Sequence, residues 1–340
     1  MDVFRGIVIL DMILIHFNTY FPATARKLLD YFDFAMDGFV FTAGLMIGAH
    51  YLDQFRAHPY SIAQRVWLRA AKLYSCYLLI VFTVIAPYYY FLLDYHDKAF
   101  LGIIEELILL KRQVGIAHIL PTFIPLFLVA PLVLWLIVNG RVFWVVIPSF
   151  MLFVFGLRWP YLFSYTDNTI FPAILWQVYF CIGVVLGISG FAKIERMAKS
   201  PTCAVLVTSA FLLLAFFKFG TSHIPLLERL RTEFGLLRFQ RFPLNVWGFM
   251  FGISLVLLVL LVVYRFFNVI NASTAIRNLL ERFGRHSLLV FVLHVYFVYT
   301  AMVIAKLTES ALWPNAIFGA CLLFLALITR KLEGRNPPKS

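Results

Sequence analysis

Residues 3–21, VFRGIVILDMILIHFNTYF, make one apolar run broken by only three groups that can carry charge near neutral pH, Arg5, Asp11 and His16. A hydrocarbon core about 30 Å thick is crossed by roughly 20 such residues, so the run reads as a transmembrane helix. Arg5 and His16 are eleven residues apart. At 3.6 residues per turn they return to one face, about 16 Å apart along the axis. Asp2 stands one turn before Arg5 on the same stripe, whereas Asp11 lies well round the helix and is expected to hydrogen-bond to a neighbouring span. Ionisable groups are expensive inside a bilayer, so a guanidinium and an imidazole on one stripe of one span mark a working site. For His16 alone, a helix-to-helix hydrogen bond is an equal alternative, and its pairing with Arg5 and Asp2 tips the reading towards function.

The rest of the chain agrees with a membrane protein. Of its 340 residues, 62% are hydrophobic and only 14% charged, and the mean hydropathy is +0.87, well outside the range of soluble domains. The net charge of +12 is spread through short loops without a continuous basic face, which argues for membrane topology and against nucleic-acid binding. Cys76, Cys181, Cys203 and Cys321 lie far apart in or beside apolar segments, with neither zinc-ligand spacing nor a disulfide framework. Pro22-Ala23-Thr24-Ala25 resembles a signal-peptide cleavage site, but an h-region containing Asp11 and His16 argues for an uncleaved first span.

Hydropathy predicts an all-α polytopic bundle of about ten spans, near 3–21, 36–55, 69–93, 116–138, 142–157, 172–190, 203–219, 245–268, 286–306 and 311–329. The fifth is the weakest, because Gly140-Arg141 leaves almost no loop before it. A moderate positive-inside bias places both termini in the cytoplasm, with the basic segment 218–241 as the main exception, a loop that could lie on the surface as an amphipathic helix. No linker divides the chain, so residues 1–330 read as one transmembrane domain followed by a short basic cytoplasmic tail, 331–340. Without an internal repeat, the case for a transporter of duplicated halves is weakened.

Other polar residues recur at helical spacings. In DGFVFTAGLMIGAHY, residues 37–51, Gly44 and Gly48 have the spacing of close helix packing. Asp37 is expected near the level of His16, where a carboxylate would orient the imidazole. Arg65, Arg69 and Lys72 share one face at the entry of the third span. Ordinary anchoring explains them, and a phosphate-binding stripe that would suit coenzyme A is the functional alternative. His118, Trp176, Gln177 and His294 are candidate substrate contacts, each with a plain alternative as packing or a helix contact. Ser287 and His294 fall seven residues apart on one face, too far for a nucleophile and its base, and Ser287 reads as a cap. Asn271-Ala272-Ser273 matches a glycosylation sequon but falls inside under this topology.

In this order the segments resemble acyltransferase family 3, the membrane-bound acyltransferases, and more narrowly the OpgC-type glucan succinyltransferases. MDVFRGIVILDMILIH is similar to the family's Asp-x-x-Arg-Gly opening and its Arg, ten residues, His pattern, carried by Asp2, Arg5, Gly6 and His16. DGFVFTAGLMIGAHY resembles its second helix and LRAAKLYSCYLL its Arg-rich third-helix entry. HILPTFIPLFLVAPLVLWL, FPAILWQVYFCIGVVLG and GRHSLLVFVLH resemble later stretches of the OpgC branch. Where that branch often has an acid before the first-helix His and before the ILPLY-like stretch, this chain has Ile15 and His118. Because the motif begins almost at Met1, the resemblance implies that the usual leader is missing or that the start codon lies upstream.

The resemblance implies transfer of an acyl group, succinyl before acetyl, from cytoplasmic acyl-CoA to a hydroxyl of a periplasmic glycan across a bacterial inner membrane, with no metal. It would assign Arg65, Arg69 and Lys72 to the coenzyme A phosphates, Arg5 to steering the donor, His16 to general base or proton relay, and Asp37 to orienting it. Two other classes share the composition: a proton-coupled carrier or flippase for an anionic or lipid-linked solute, and a structural membrane subunit. Motif order ranks the enzyme first.

Overall fold

The computed structural model describes residues 1–92, 98–110, 115–160, 171–220, 224–233, 237–240, 243–266, 273–308, 310 and 312–335. Every element among them is helical, as the hydropathy pattern predicts. The first half comprises α1 (Asp2–Phe17), α2 (Ala23–Phe32), α3 (Ala35–Ala57), α4 (Pro59–Ile80), α5 (Ala86–Leu92), α6 (Lys98–Ile108), α7 (Ile119–Val138) and α8 (Phe143–Arg158). The second comprises α9 (Ala173–Gly187), α10 (Phe191–Lys199), α11 (Pro201–Gly220), α12 (Pro225–Thr232), α13 (Val246–Arg265), α14 (Thr274–Arg285), α15 (Ser287–Thr308) and α16 (Leu312–Arg335). Proline at the start of α4, α11 and α12 sets the first-turn φ where no intrahelical N–H is needed. The Asn245 side chain caps α13 by accepting from the Gly248 N–H at 2.8 Å.

Among the described residues, eight helical stretches are long and apolar enough to cross a membrane. The other two of the ten expected spans, the sixth and the fifth, are shorter helices. The sixth expected span stops at Gly187, and after Gly190 in a left-handed conformation (φ +72°) the chain turns by 97° into α10, so that this bent pair makes at most a ninth. The fifth is α8, whose 16 residues give about 24 Å, short of the hydrocarbon core. The last helix also runs through Arg335, past the tail boundary expected at residue 330.

Two close contacts set the frame. A methyl group on Gly44 or Gly48 of α3 would overlap the Phe180 or Val184 carbonyl of α9, and one on Gly183 or Gly187 would overlap Phe41 or Leu45 in return. The glycine spacing therefore does what small residues do in membrane bundles: it lets two backbones touch. Likewise Gly6 lies on the Leu280 carbonyl and Gly284 on that of Asp2, laying the amphipathic α14 antiparallel along the first turns of α1. Asp11 accepts from the Phe34 N–H at 3.0 Å, and Gly38 packs on Val8, so α1 and α3 run antiparallel in a defined register.

Candidate active site

At the Arg5 end of the bundle, α1, α3, α4, α7 and the α14–α15 junction enclose a cleft of about 760 Å³. Helical spacing already sets Arg65, Arg69 and Lys72 on one face of α4, and that face lines the cleft together with Arg5. His50 and Gln54 join from α3, and Arg285 and His286 from the junction. These four residues were not singled out by sequence, although GRHS supplied a polar cluster beside an apolar run.

The cations differ in how far they are already neutralised. Arg285 lies 3.0 Å from Glu333, 3.4 Å from Glu281 and 3.9 Å from Asp2. Arg5 is 3.6 Å from Asp2 and donates to Ser287 Oγ at 2.7 Å. Among the described residues, Arg65, Arg69 and Lys72 have no acidic partner, and the Arg69 guanidinium rests 5.1 Å from the centre of the Tyr51 ring. A concave site with two guanidiniums and an ammonium uncompensated attracts anions, and guanidinium forks match phosphate or carboxylate oxygens. The lining also includes the buried apolar side chains of Leu120, Phe123, Phe127 and Phe291.

Phe291 connects the cleft with His16. Its carbonyl oxygen is 2.5 Å from Nδ1 of His294, and its ring packs edge-on against the same imidazole at 5.1 Å. Nε2 of His294 is in turn 2.8 Å from Nδ1 of His16. His294 is fully buried, while His16 is partly exposed. Both members of the α1 stripe therefore meet α15: Arg5 at Ser287, and His16 at His294. Ser287 serves as the acceptor for Arg5.

The remaining candidates are placed elsewhere. The Asp37 carboxylate is fully buried and lies over Gly252 of α13 beside the Tyr179 hydroxyl. The α1–α3 register sets it level with Val8 to Asp11, where the sequence reading expected the level of His16. Trp176 is buried between Phe171 and Tyr179 and does not line the cleft. Gln177 bridges α9 to α8, accepting from Ser149 Oγ and donating to the Ser149 carbonyl, both at 2.6 Å. These are the packing and helix-contact alternatives for that pair. His118 ends a short 3-10 turn, Gly115–His118, and its side chain lies outside the described part, as do Asn271 and Ala272 of the sequon.

The family model described as OpgC protein matches residues 1–335. No curated protein and no solved structure matches the chain. A family match over nearly the whole length is decisive, and the chain belongs to the OpgC protein family, as a multi-pass membrane protein.

Proposed function

We propose that this OpgC-family chain is an O-acyltransferase of glucan modification, moving an acyl group, succinyl before acetyl, from cytoplasmic coenzyme A to a hydroxyl of a glycan on the far side of a bacterial inner membrane. One observation carries the reading. Phe291 lines the cationic cleft beside Leu120, Phe123 and Phe127, and it is also the residue that holds His294 and, through it, His16. In this reading Arg65, Arg69 and Lys72 bind the donor's phosphates by charge-assisted hydrogen bonds. The apolar lining suits the thin uncharged pantetheine arm, which brings the thioester inward.

The chemistry balances with one base and one cation. His16 removes the proton of the acceptor hydroxyl as its oxygen attacks the thioester carbonyl carbon. The carbon–oxygen bond forms, the carbon–sulfur bond breaks, and the proton passes to the departing thiolate, leaving an ester and the coenzyme A thiol. Arg5 faces the donor path and supports the negative charge that develops on the carbonyl oxygen, or the distal carboxylate of a succinyl group. The orienting role suggested for Asp37 and the substrate contacts suggested for Trp176 and Gln177 are not carried over. His118 remains a candidate contact.

The test uses purified protein in sealed lipid vesicles, with labelled succinyl-CoA or acetyl-CoA on one side and a glucan on the other. The expected result is label appearing on the glucan, with His16→Ala reducing transfer by about 10²–10⁴-fold at unchanged expression and membrane insertion. Solute movement without acylated product, or full transfer in His16→Ala, overturns the reading.

A further inference from the structure

The contacts around His294 determine where the protons lie. A backbone carbonyl can only accept, so the contact from His294 Nδ1 to the Phe291 oxygen puts the His294 proton on Nδ1. In a neutral imidazole this leaves Nε2 as the acceptor, and the atom facing it is Nδ1 of His16 at 2.8 Å. His16 must then be the donor and carry its own proton on Nδ1. The two rings lie within 7° of parallel with centres 5.1 Å apart. Stacked planes separated by about 3.5 Å could not bring two nitrogens as close as that contact, so the rings meet edge to edge through an in-plane N–H···N bond.

We infer that His294 is a positioning residue that locks His16 in the Nδ1–H tautomer and so makes Nε2 of His16 the nitrogen that takes the acceptor's proton. The inference rests on the reading of His16 as general base and says how that base is prepared. When the hydroxyl O–H bond breaks and its proton joins Nε2, the resulting imidazolium keeps its Nδ1–H directed at the lone pair of His294, so its charge forms against an acceptor already in place. Buried, edge-packed by Phe291 and tied to that residue's carbonyl, the His294 ring is held against rotation. It fills the place that a carboxylate takes in a hydrolase triad, without bringing a second charge into the bilayer.

Three measurements test this. In protein labelled with ¹⁵N-histidine, the His16 signals, identified by their loss in His16→Ala, are expected to report the Nδ1–H form; an Nε2–H form overturns the proposal whether or not the His294 variants fold. In kinetics, His294→Leu removes the acceptor and is expected to lower kcat by about 10²-fold or more, with the donor KM unchanged. His294→Gln, whose amide oxygen can accept from His16, is expected to stay within about tenfold of wild type. Wild-type kcat in His294→Leu alongside an inactive His16→Ala overturns the positioning role and leaves the base intact, whereas activity in His16→Ala overturns the base itself.

Discussion

The Arg5 guanidinium donates to Ser287 Oγ across the interface of α1 and α15 at 2.7 Å, with Asp2 3.6 Å away on its other side. Arg5 is thus held at two points before any donor arrives, and a planar fork so held is preorganised for an oxygen anion. Ser287→Ala removes a neutral acceptor from a charged donor. It is expected to lower kcat/KM for the acyl donor by about 3- to 10-fold. Arg5→Lys loses the fork as well and is expected to cost about 10²-fold. Steady-state kinetics with labelled donor measure both, and equal losses in the two variants would show that the fork contributes nothing beyond its charge.

Arg65, Arg69 and Lys72 line the cleft without acidic partners among the described residues, so their charge is available to a ligand. Neutralising any one, as in Arg69→Gln, is expected to raise the donor KM several-fold with little change in kcat, because phosphates far from the reacting bond are bound equally in ground and transition states. The triple variant is expected to lose saturable binding. As these side chains are exposed, wild-type donor affinity should also fall as salt rises from about 0.01 to 0.5 M. Steady-state kinetics read the first effect and calorimetric titration of coenzyme A the other two, and salt-independent affinity would place the phosphates elsewhere.

What the sequence disclosed and what it withheld divide along the helix. Arg5 with His16, and Arg65 with Arg69 and Lys72, could be grouped because the helical period fixes relations within one element. Nothing in a single chain relates Arg5 to Ser287, 282 residues away, or His16 to His294, 278 away. Those meetings depend on how α1 packs on α14 and α15 at Gly6 and Gly284. Hydropathy alone sets Asp37 only roughly at the level of His16, whereas the fit of Val8 on Gly38 places it nearer Val8 to Asp11. Hydropathy also does not register a bend: the expected span 172–190 ends where the chain turns by 97° into α10, and the apolar pattern gives no sign of that turn.

The α3–α9 contact offers a test of the frame itself. A methyl on Gly44 or Gly183 meets a carbonyl oxygen of the facing backbone, and backbone cannot move aside as a side chain can. Gly44→Ala and Gly183→Ala are each expected to destabilise by about 1–3 kcal/mol, seen as a lowered melting temperature in detergent. Gly319→Ala is the control, since nothing lies within 4 Å of its added carbon; it should leave the melting temperature unchanged or slightly raised. If Gly44→Ala melts like this control, the helices are further apart than described.

Gln177 separates a structural role from a substrate contact. Its amide is engaged at both ends by Ser149, so the side chain is used up in joining α9 to α8 and has little left for a ligand. Gln177→Met keeps the volume and removes both bonds, leaving the Ser149 hydroxyl without that acceptor. Interhelical hydrogen bonds in membranes are worth about 0.6–1.7 kcal/mol, so the expected outcome is a melting temperature lower by a few degrees with donor and acceptor KM unchanged. A rise in the acceptor KM at constant stability would return Gln177 to the substrate. It would also mean that α8 and α9 part to admit the glycan, because the amide can reach a ligand only by releasing Ser149.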